Sequence, residues 1–185
     1  MLIYKIDEDV TLRMFNIGDS KEYFQLVDES RIYLEEWASW VKNVHREEDM
    51  TVFINEDLEM FVENGGYPTS FVIIYQGKLA GSIAFHTINK KSRIGVVGYS
   101  LGKKYQGKGI MTKSLRVLLS YGFKELNLNK IEIKVATENK KSIVLPEKFG
   151  FTKEGVSRQA QWLYDHYVDH VCYGLLAEEW KDRQA

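Results

Sequence analysis

The chain has 185 residues, with 25 Lys and Arg against 26 Asp and Glu, for a net charge of −1. An apolar fraction of 44% with 13% aromatics can fill a sizeable core, and 28% charge with only two prolines excludes collagen-like and disordered classes. The longest apolar run, Phe71 to Tyr75, falls far short of the roughly 18 residues that span a bilayer, Met1 to Val10 carries no apolar leader, and Cys172 is the only cysteine. The expectation is therefore one domain over residues 1–185, in the cytoplasm, with no membrane segment and no disulfide framework.

Thr11 to Phe15 reads as a short strand, after which Asp19 is placed to cap a helix with apolar positions at Phe24 and Val27. Tyr33, Trp37, Trp40, Val41 and Val44 recur at helical spacing and read as core, with an acceptor-pocket lining as the alternative for Tyr33, Trp37 and Trp40, and a second amphipathic run carries Val52, Phe53, Met60 and Phe61 before Gly65-Gly66 breaks it. Ser70 to Tyr75, the turn Gln76-Gly77-Lys78 and Leu79 to His86 form a hairpin pattern. Ile94 to Leu101 reads as a strand, and Met111, Leu115, Leu118 and Leu119 mark a helix that begins just past Gly109. Lys130 to Ala136 alternates as a strand, a short helix near Lys140 to Lys148 precedes another strand, and Val168 to Leu176 closes the series. Strand, glycine loop, helix, strand at the centre predicts a parallel crossover inside an otherwise antiparallel sheet.

Charge is segregated along the chain. Lys103 to Lys153 holds 12 basic and four acidic residues, a net +8, whereas Glu47 to Gly77 holds seven acidic residues and no Lys or Arg. Charge runs of this kind read equally well as solvated faces; the functional alternative is a first stretch that binds an anion and a second that attracts a cationic partner.

Tyr105-Gln106-Gly107-Lys108-Gly109-Ile110-Met111-Thr112 lies where the strand hands over to the helix. A glycine turn exposes successive backbone N–H groups and a helix N-terminus adds positive partial charge, so a phosphate or pyrophosphate fits there; an ordinary helix-entry turn uses glycine as well. Gly102 to Lys108 matches G-x-x-x-x-G-K, but Gly109 stands where a P-loop needs Ser or Thr for magnesium. A dinucleotide fingerprint started at Gly107 meets Thr112 at its sixth position. Both nucleotide readings are disfavoured.

Gln106 to Met111 resembles the Q/R-x-x-G-x-G/A acetyl-CoA loop of GNAT N-acetyltransferases, and Val97 to Leu101 resembles the cofactor strand of that family. Asn139-Lys140-Lys141-Ser142 followed by Glu147-Lys148-Phe149-Gly150-Phe151 is similar to a second segment of it, N-x-x-S with E-K-x-G-F. Leu12-Arg13, Ser30-Arg31, Leu34, Trp37 and Trp40-Val41 resemble the RimJ/RimL-type branch, which acetylates ribosomal-protein N-termini, so the likeness runs from about Thr11 to Trp180. Met111 departs from the small residue that ends the family loop.

The resemblance implies an α+β GNAT fold, a mixed, mostly antiparallel sheet with helices on both faces, using acetyl-CoA as cosubstrate. It further implies that backbone groups at Tyr99 and Leu101 hold the pantetheine arm and that Gln106, Gly107, Lys108, Gly109, Ile110, Met111 and Thr112 hold the pyrophosphate. By the same resemblance Asn139 is expected to orient the cofactor and Ser142 to give a proton to the departing thiolate; Ser142 reads equally well as a first-turn helix residue that satisfies backbone groups. Gln161 stands where the RimL-type segment carries a Glu. An amide cannot take a proton, so either water or Asp165, His170 or Glu154 serves as base, or Gln161 only positions the acceptor, or turnover is lost. The acceptor is expected to be the α-amine of a protein or peptide, including ribosomal proteins. A polyamine or aminoglycoside acceptor, and a non-catalytic acetyl-CoA-binding module, are the alternatives.

Cys172 reads as a small buried thiol on a strand, and Asp165-His166 with Asp169-His170 as a polar turn. No metal site and no direct nucleic-acid motif is expected, and exposed strand edges together with the habit of the family make a homo-oligomer the expectation.

Overall fold

The computed structural model describes residues 3–182. The strands are β1 (Ile3–Lys5), β2 (Val10–Arg13), β3 (Ser70–Tyr75), β4 (Lys78–Asn89), β5 (Ile94–Leu101), β6 (Lys130–Ala136), β7 (Thr152–Leu163) and β8 (His166–Leu176). The helices are α1 (Ser20–Glu29), α2 (Arg31–Glu35), α3 (Glu47–Glu63), α4 (Ile110–Lys124), α5 (Lys140–Lys148) and α6 (Ala177–Asp182). The fold is the expected α+β arrangement, a mixed, mostly antiparallel sheet flanked by helices.

The chain forms two compact units, one from residues up to Ala84 together with Tyr99–Leu118, the other from Phe85–Gly98 together with residues from Leu119 onward. In the first unit β1, β2, β3 and β4 pair antiparallel in sequence order and β5 follows β4. Its core is built from Val10, Leu12, Phe15, Tyr23, Phe71, Ile73 and Ile83. The β3–β4 turn places Gln76 at φ 50° and Gly77 at φ 76°, the two left-handed residues that match the twist of a two-residue hairpin. In the second unit β5 pairs in parallel with β6 from Ile94↔Lys130 to Val97↔Ile133, β8 lies antiparallel to β6, and β7 pairs with β8. Here Ile131, Ile133, Val171, Leu175 and Trp180 fill the interior. The parallel pair and its crossover helix are as the sequence predicts.

Three local expectations are corrected. Asp19 does occupy the residue before α1, but its carboxylate makes no cap bond there. It receives both guanidinium nitrogens of Arg13 at 2.7 Å and the Asn16 N–H at 2.9 Å, because a buried carboxylate gains more from a bidentate cation than from one amide. The tryptophan stripe is not one helix. α2 ends at Glu35 and a short 3-10 helix covers Ser39–Asn43, so Leu34, Val41 and Val44 are buried while Trp40 is 36% exposed and stacks on Phe53 at 6.5 Å. In α3 the buried residues are Met50 and Ile54, Phe53 is part exposed but lies edge-on to the buried rings of Phe15 and Tyr23 at 6.1 Å, and Val52 and Met60 face outward. The helix holds two apolar stripes, and only one can meet the core.

Two smaller readings also shift. Asp165 lies in the β7–β8 turn beside His166, but Asp169 and His170 are strand residues, Asp169 accepting the Gln159 N–H at 2.7 Å. Cys172 is on a strand as expected, yet half-buried. Among the described residues no helix is long and apolar enough to cross a membrane.

Candidate functional site: the glycine loop and the end of β6

The residues expected to hold the cofactor loop lie in the first unit. β5 ends at Leu101, Gly102 turns the chain, and a 3-10 helix at Lys103–Tyr105 leads into Gln106. The end of α1 pins this segment: the Lys103 N–H donates to Ser30 Oγ at 3.0 Å and Lys104 Nζ to Glu29 at 2.8 Å. Tyr105 is buried edge-on to Tyr75 at 6.1 Å, and Lys108 Nζ sits over both rings, at 5.3 Å from Tyr75 and 5.9 Å from Tyr105. Lys104 is thus already neutralised, whereas Lys103 and Lys108 make no ion pair among the described residues.

Gly107 and Gly109 both have positive φ, 73° and 72°, and a Cβ on either would meet nothing within 4 Å. Glycine is needed there for conformation rather than for space. The alternation turns the backbone of Lys108 between two left-handed residues, an arrangement that gathers N–H groups into an anion-binding concavity. α4 starts at once, its first bond running from the Lys113 N–H to the Gly109 carbonyl at 3.1 Å. Ile110, Met111 and Thr112 therefore supply the first-turn N–H donors that a helix cannot satisfy internally. Ile110 is buried, and Met111 is half-buried, so the departure from a small residue leaves the backbone donors unchanged. The amide nitrogen of Gln106 is buried and makes no hydrogen bond, although its side chain faces the Tyr33 phenol closely enough to influence it. That orphaned donor beside unspent N–H groups fits an anionic ligand. On β5 itself, burial pushes the Tyr99 hydroxyl far above its ordinary value, so it stays protonated and can act only as a neutral group.

The other expected residues lie in the second unit. Asn139 follows β6 and caps α5, its Oδ1 accepting the Ser142 N–H at 3.2 Å. Ser142 is half-buried in the first turn of α5. Pro146 sits inside this helix and cannot donate to the Ser142 carbonyl four residues back. Gln161 is on β7, just past an irregularity between Ser157 and Gln161 in the pairing with β8, and its Oε1 faces His170 Nε2 at 3.0 Å. Opposite His170 stands Ala136, the last residue of β6.

Of the carboxylates weighed as bases, Glu154 is tied to Lys130 at 2.7 Å and Asp165 to His166 at 2.7 Å. His170 is different. Burial first, and Lys134 second, hold its pKa below the ordinary imidazole value, against the opposing pull of Asp169. It is neutral at pH 7 and donates to Gln161 in the Nε2–H form. The sign of the linkage follows: a depressed imidazole contributes stability that is complete above its unfolded value of about 6.5 and is lost as pH falls through the lower folded value. Urea denaturation of the wild type is expected to show stability declining as pH falls below about 6.5, and His170→Gln to make that decline shallower, the remainder coming from His86, which burial also holds low.

Residues 9–152 match the model of the acetyltransferase (GNAT) domain. The chain belongs to the GNAT acetyltransferase family. It is 30% identical over 182 residues to YdaF of Bacillus subtilis (strain 168), covering 98% of each chain. With the ribosomal-protein-serine acetyltransferase of Escherichia coli (strain K12) it shares 26% identity over 174 residues, covering 94% of this chain and 96% of the other. Among solved structures, the microcin C7 self-immunity acetyltransferase MccE, in complex with acetyl-CoA and AMP, superposes with a TM-score of 0.86 at 26% identity, covering 93% of this chain and 94% of that one.

This GNAT protein is accordingly an acetyl-CoA-dependent acyltransferase related to ribosomal-protein acetyltransferases, with acetyl-CoA as its cosubstrate and an amine as acceptor. Among the described residues no cluster of three or more His, Cys, Asp or Glu could hold a metal ion.

Proposed function

We propose that this acetyltransferase, acting as one domain over residues 1–185, acetylates the α-amine of a protein or peptide N-terminus in the manner of the RimJ/RimL-type branch, with ribosomal proteins in the cytoplasm as the first acceptors to test. The observation that carries the reading is the Gln161–His170 pair: an amide stands where a carboxylate base is expected, and it engages a neutral imidazole. An acceptor served by so weak a base must bring its own free amine. An α-amino group, with a pKa near 7.7 to 8.0, does so at neutral pH; a lysine, near 10.4, does not. The similarity to a ribosomal-protein-serine acetyltransferase over most of both chains points the same way.

Acetyl-CoA supplies its acetyl group as a thioester, which a neutral amine attacks directly. The protein's share is positioning and proton handling. The Gln106 side-chain amide and the N–H groups from Gly107 to Thr112 hold the pyrophosphate, with Lys103 and Lys108 adding charge. Backbone groups at Tyr99 and Leu101 hold the pantetheine arm. Asn139 fixes the first turn of α5, which presents Ser142, and the Ser142 hydroxyl relays a proton to the sulfur, regaining one from solvent, as the C–S bond breaks and the C–N bond forms. His170, or water beside it, takes the proton that the acceptor nitrogen loses.

The test is acetyl transfer from acetyl-CoA, read by mass spectrometry, to peptides with different N-termini, to polyamines and to aminoglycosides. Transfer to α-amines is expected, with kcat/KM rising with pH and levelling near about 8, as the acceptor's own titration dictates. Transfer to polyamines alone would replace this reading with the small-amine one, which the acidic α3 also suits. Thermal stabilisation by acetyl-CoA without transfer to any amine would replace it with a binding module.

A further inference from the structure

The outward face of α3 is poorly explained by the fold. Val52, Met60 and Val62 are 57%, 47% and 73% exposed, while Met50 and Ile54 on the opposite side do the packing. Glu56, Glu59 and Glu63 are interleaved with them, three and four residues apart, where like charges on a helix repel. The last turn holds no basic residue, so Glu59 and Glu63 also face the negative end of the helix dipole. Among the described residues none of these three carboxylates forms an ion pair; the one cation at this helix, Arg46, is taken by Glu48 and Asp49 at its start. No Lys or Arg occurs from Glu47 to Gly77. The Trp40–Phe53 stack, with both rings over a third exposed, adds a further apolar surface to the same unit.

We propose that this face of α3 is a docking surface for a lysine- or arginine-rich amphipathic segment of the acceptor protein, downstream of the residue whose α-amine is acetylated. The identity of the segment's host rests on the α-amine reading above. Cations from such a segment would neutralise the Glu56, Glu59 and Glu63 row, and its apolar side chains would cover Val52, Met60 and Val62. Nucleic acid and anionic lipid are repelled by the same row. The like-charge repulsion then has a function: it is relieved only when the partner binds. Complementary charge of this kind acts through the rate of encounter and weakens with salt.

The experiment uses the full chain and two acetyl-capped peptides of one helical leucine pattern, one carrying lysine and the other glutamate at the polar positions. The caps remove any acceptor amine, so binding is read independently of turnover. Fluorescence anisotropy is expected to show the lysine peptide binding at least about tenfold tighter than the glutamate peptide, and more weakly as salt rises. The triple variant Glu56→Lys, Glu59→Lys, Glu63→Lys is expected to lose that preference, and Val62→Ser to weaken the lysine peptide about threefold. Acetyl transfer to a short uncharged peptide should be the same in wild type and triple variant. Equal binding of the two peptides to the wild type, or undiminished binding of the lysine peptide to the triple variant, overturns the docking surface. Capped-peptide binding with no transfer to any α-amine upholds the surface and overturns the acceptor assignment instead.

Discussion

Replacing Gly107 and Gly109 together by alanine is expected to weaken acetyl-CoA binding by roughly 30- to 1,000-fold while leaving the protein folded. Both residues have φ near +73°, where an L side chain costs about 1–2 kcal/mol. Two such positions cost about 2–4 kcal/mol, and every 1.4 kcal/mol is about tenfold in affinity. The new methyl groups would touch nothing within 4 Å, so the penalty is conformational. In the free protein the exposed loop relaxes to another conformation and the strain disappears. Binding must restore the original backbone, so the cost falls on affinity rather than on stability. Calorimetric titration measures the first, and the melting temperature without ligand measures the second. An unchanged dissociation constant would show that this loop does not hold the pyrophosphate.

The largest effect on stability is expected at Arg13. Its guanidinium is 20% exposed and grips Asp19, 7% exposed, through two bonds of 2.7 Å, and Asp19 also accepts the Asn16 N–H. The Asp19 hydrogen bond, ahead of charge attraction, raises the Arg13 pKa against the cost of burial. Arg13→Ala strands a buried carboxylate, which typically costs 3–5 kcal/mol, so about 3 kcal/mol is expected for this partly wetted pair. For a chain of this length that lowers the melting temperature by roughly 6–12 °C. The double variant Arg13→Met, Asp19→Leu should cost clearly less than the sum of the two single changes, because the second substitution removes the group the first left unpaired. Additive losses in thermal or urea unfolding would mean that the two side chains act independently.

The elements that carry the candidate site were legible because their signals are local. The Gly107–Gly109 spacing, the strand before it and the helix after it all sit within about 30 residues, and the structure has β5, the loop and α4 where the pattern puts them. Asn139 and Ser142 are three residues apart, the spacing at which a cap side chain meets a first-turn N–H. The Gln161–His170 pair was not readable, because an irregularity at Ser157–Gln161 changes which β7 residue faces which β8 residue. The clamps on the loop were invisible for another reason: Ser30 and Glu29 reach Lys103 and Lys104 across more than seventy residues of sequence. In α3 the pattern misled, since periodicity shows that apolar stripes exist without saying which one the rest of the chain will cover.

The division of the chain at Ala84/Phe85, Gly98/Tyr99 and Leu118/Leu119 falls inside β4, β5 and α4. Neither unit is one uninterrupted stretch, so no single cut yields either of them whole. Each depends on bringing together two pieces separated by a piece of the other, Phe85–Gly98 in one case and Tyr99–Leu118 in the other, and the loop-closure entropy of doing so must be met before its contacts form. A ribosome releasing this polypeptide cannot finish the first unit until it has also made Phe85–Gly98 of the second. Nor could such an architecture be acquired by joining two genes end to end, since each unit's chain is interrupted by a piece of the other.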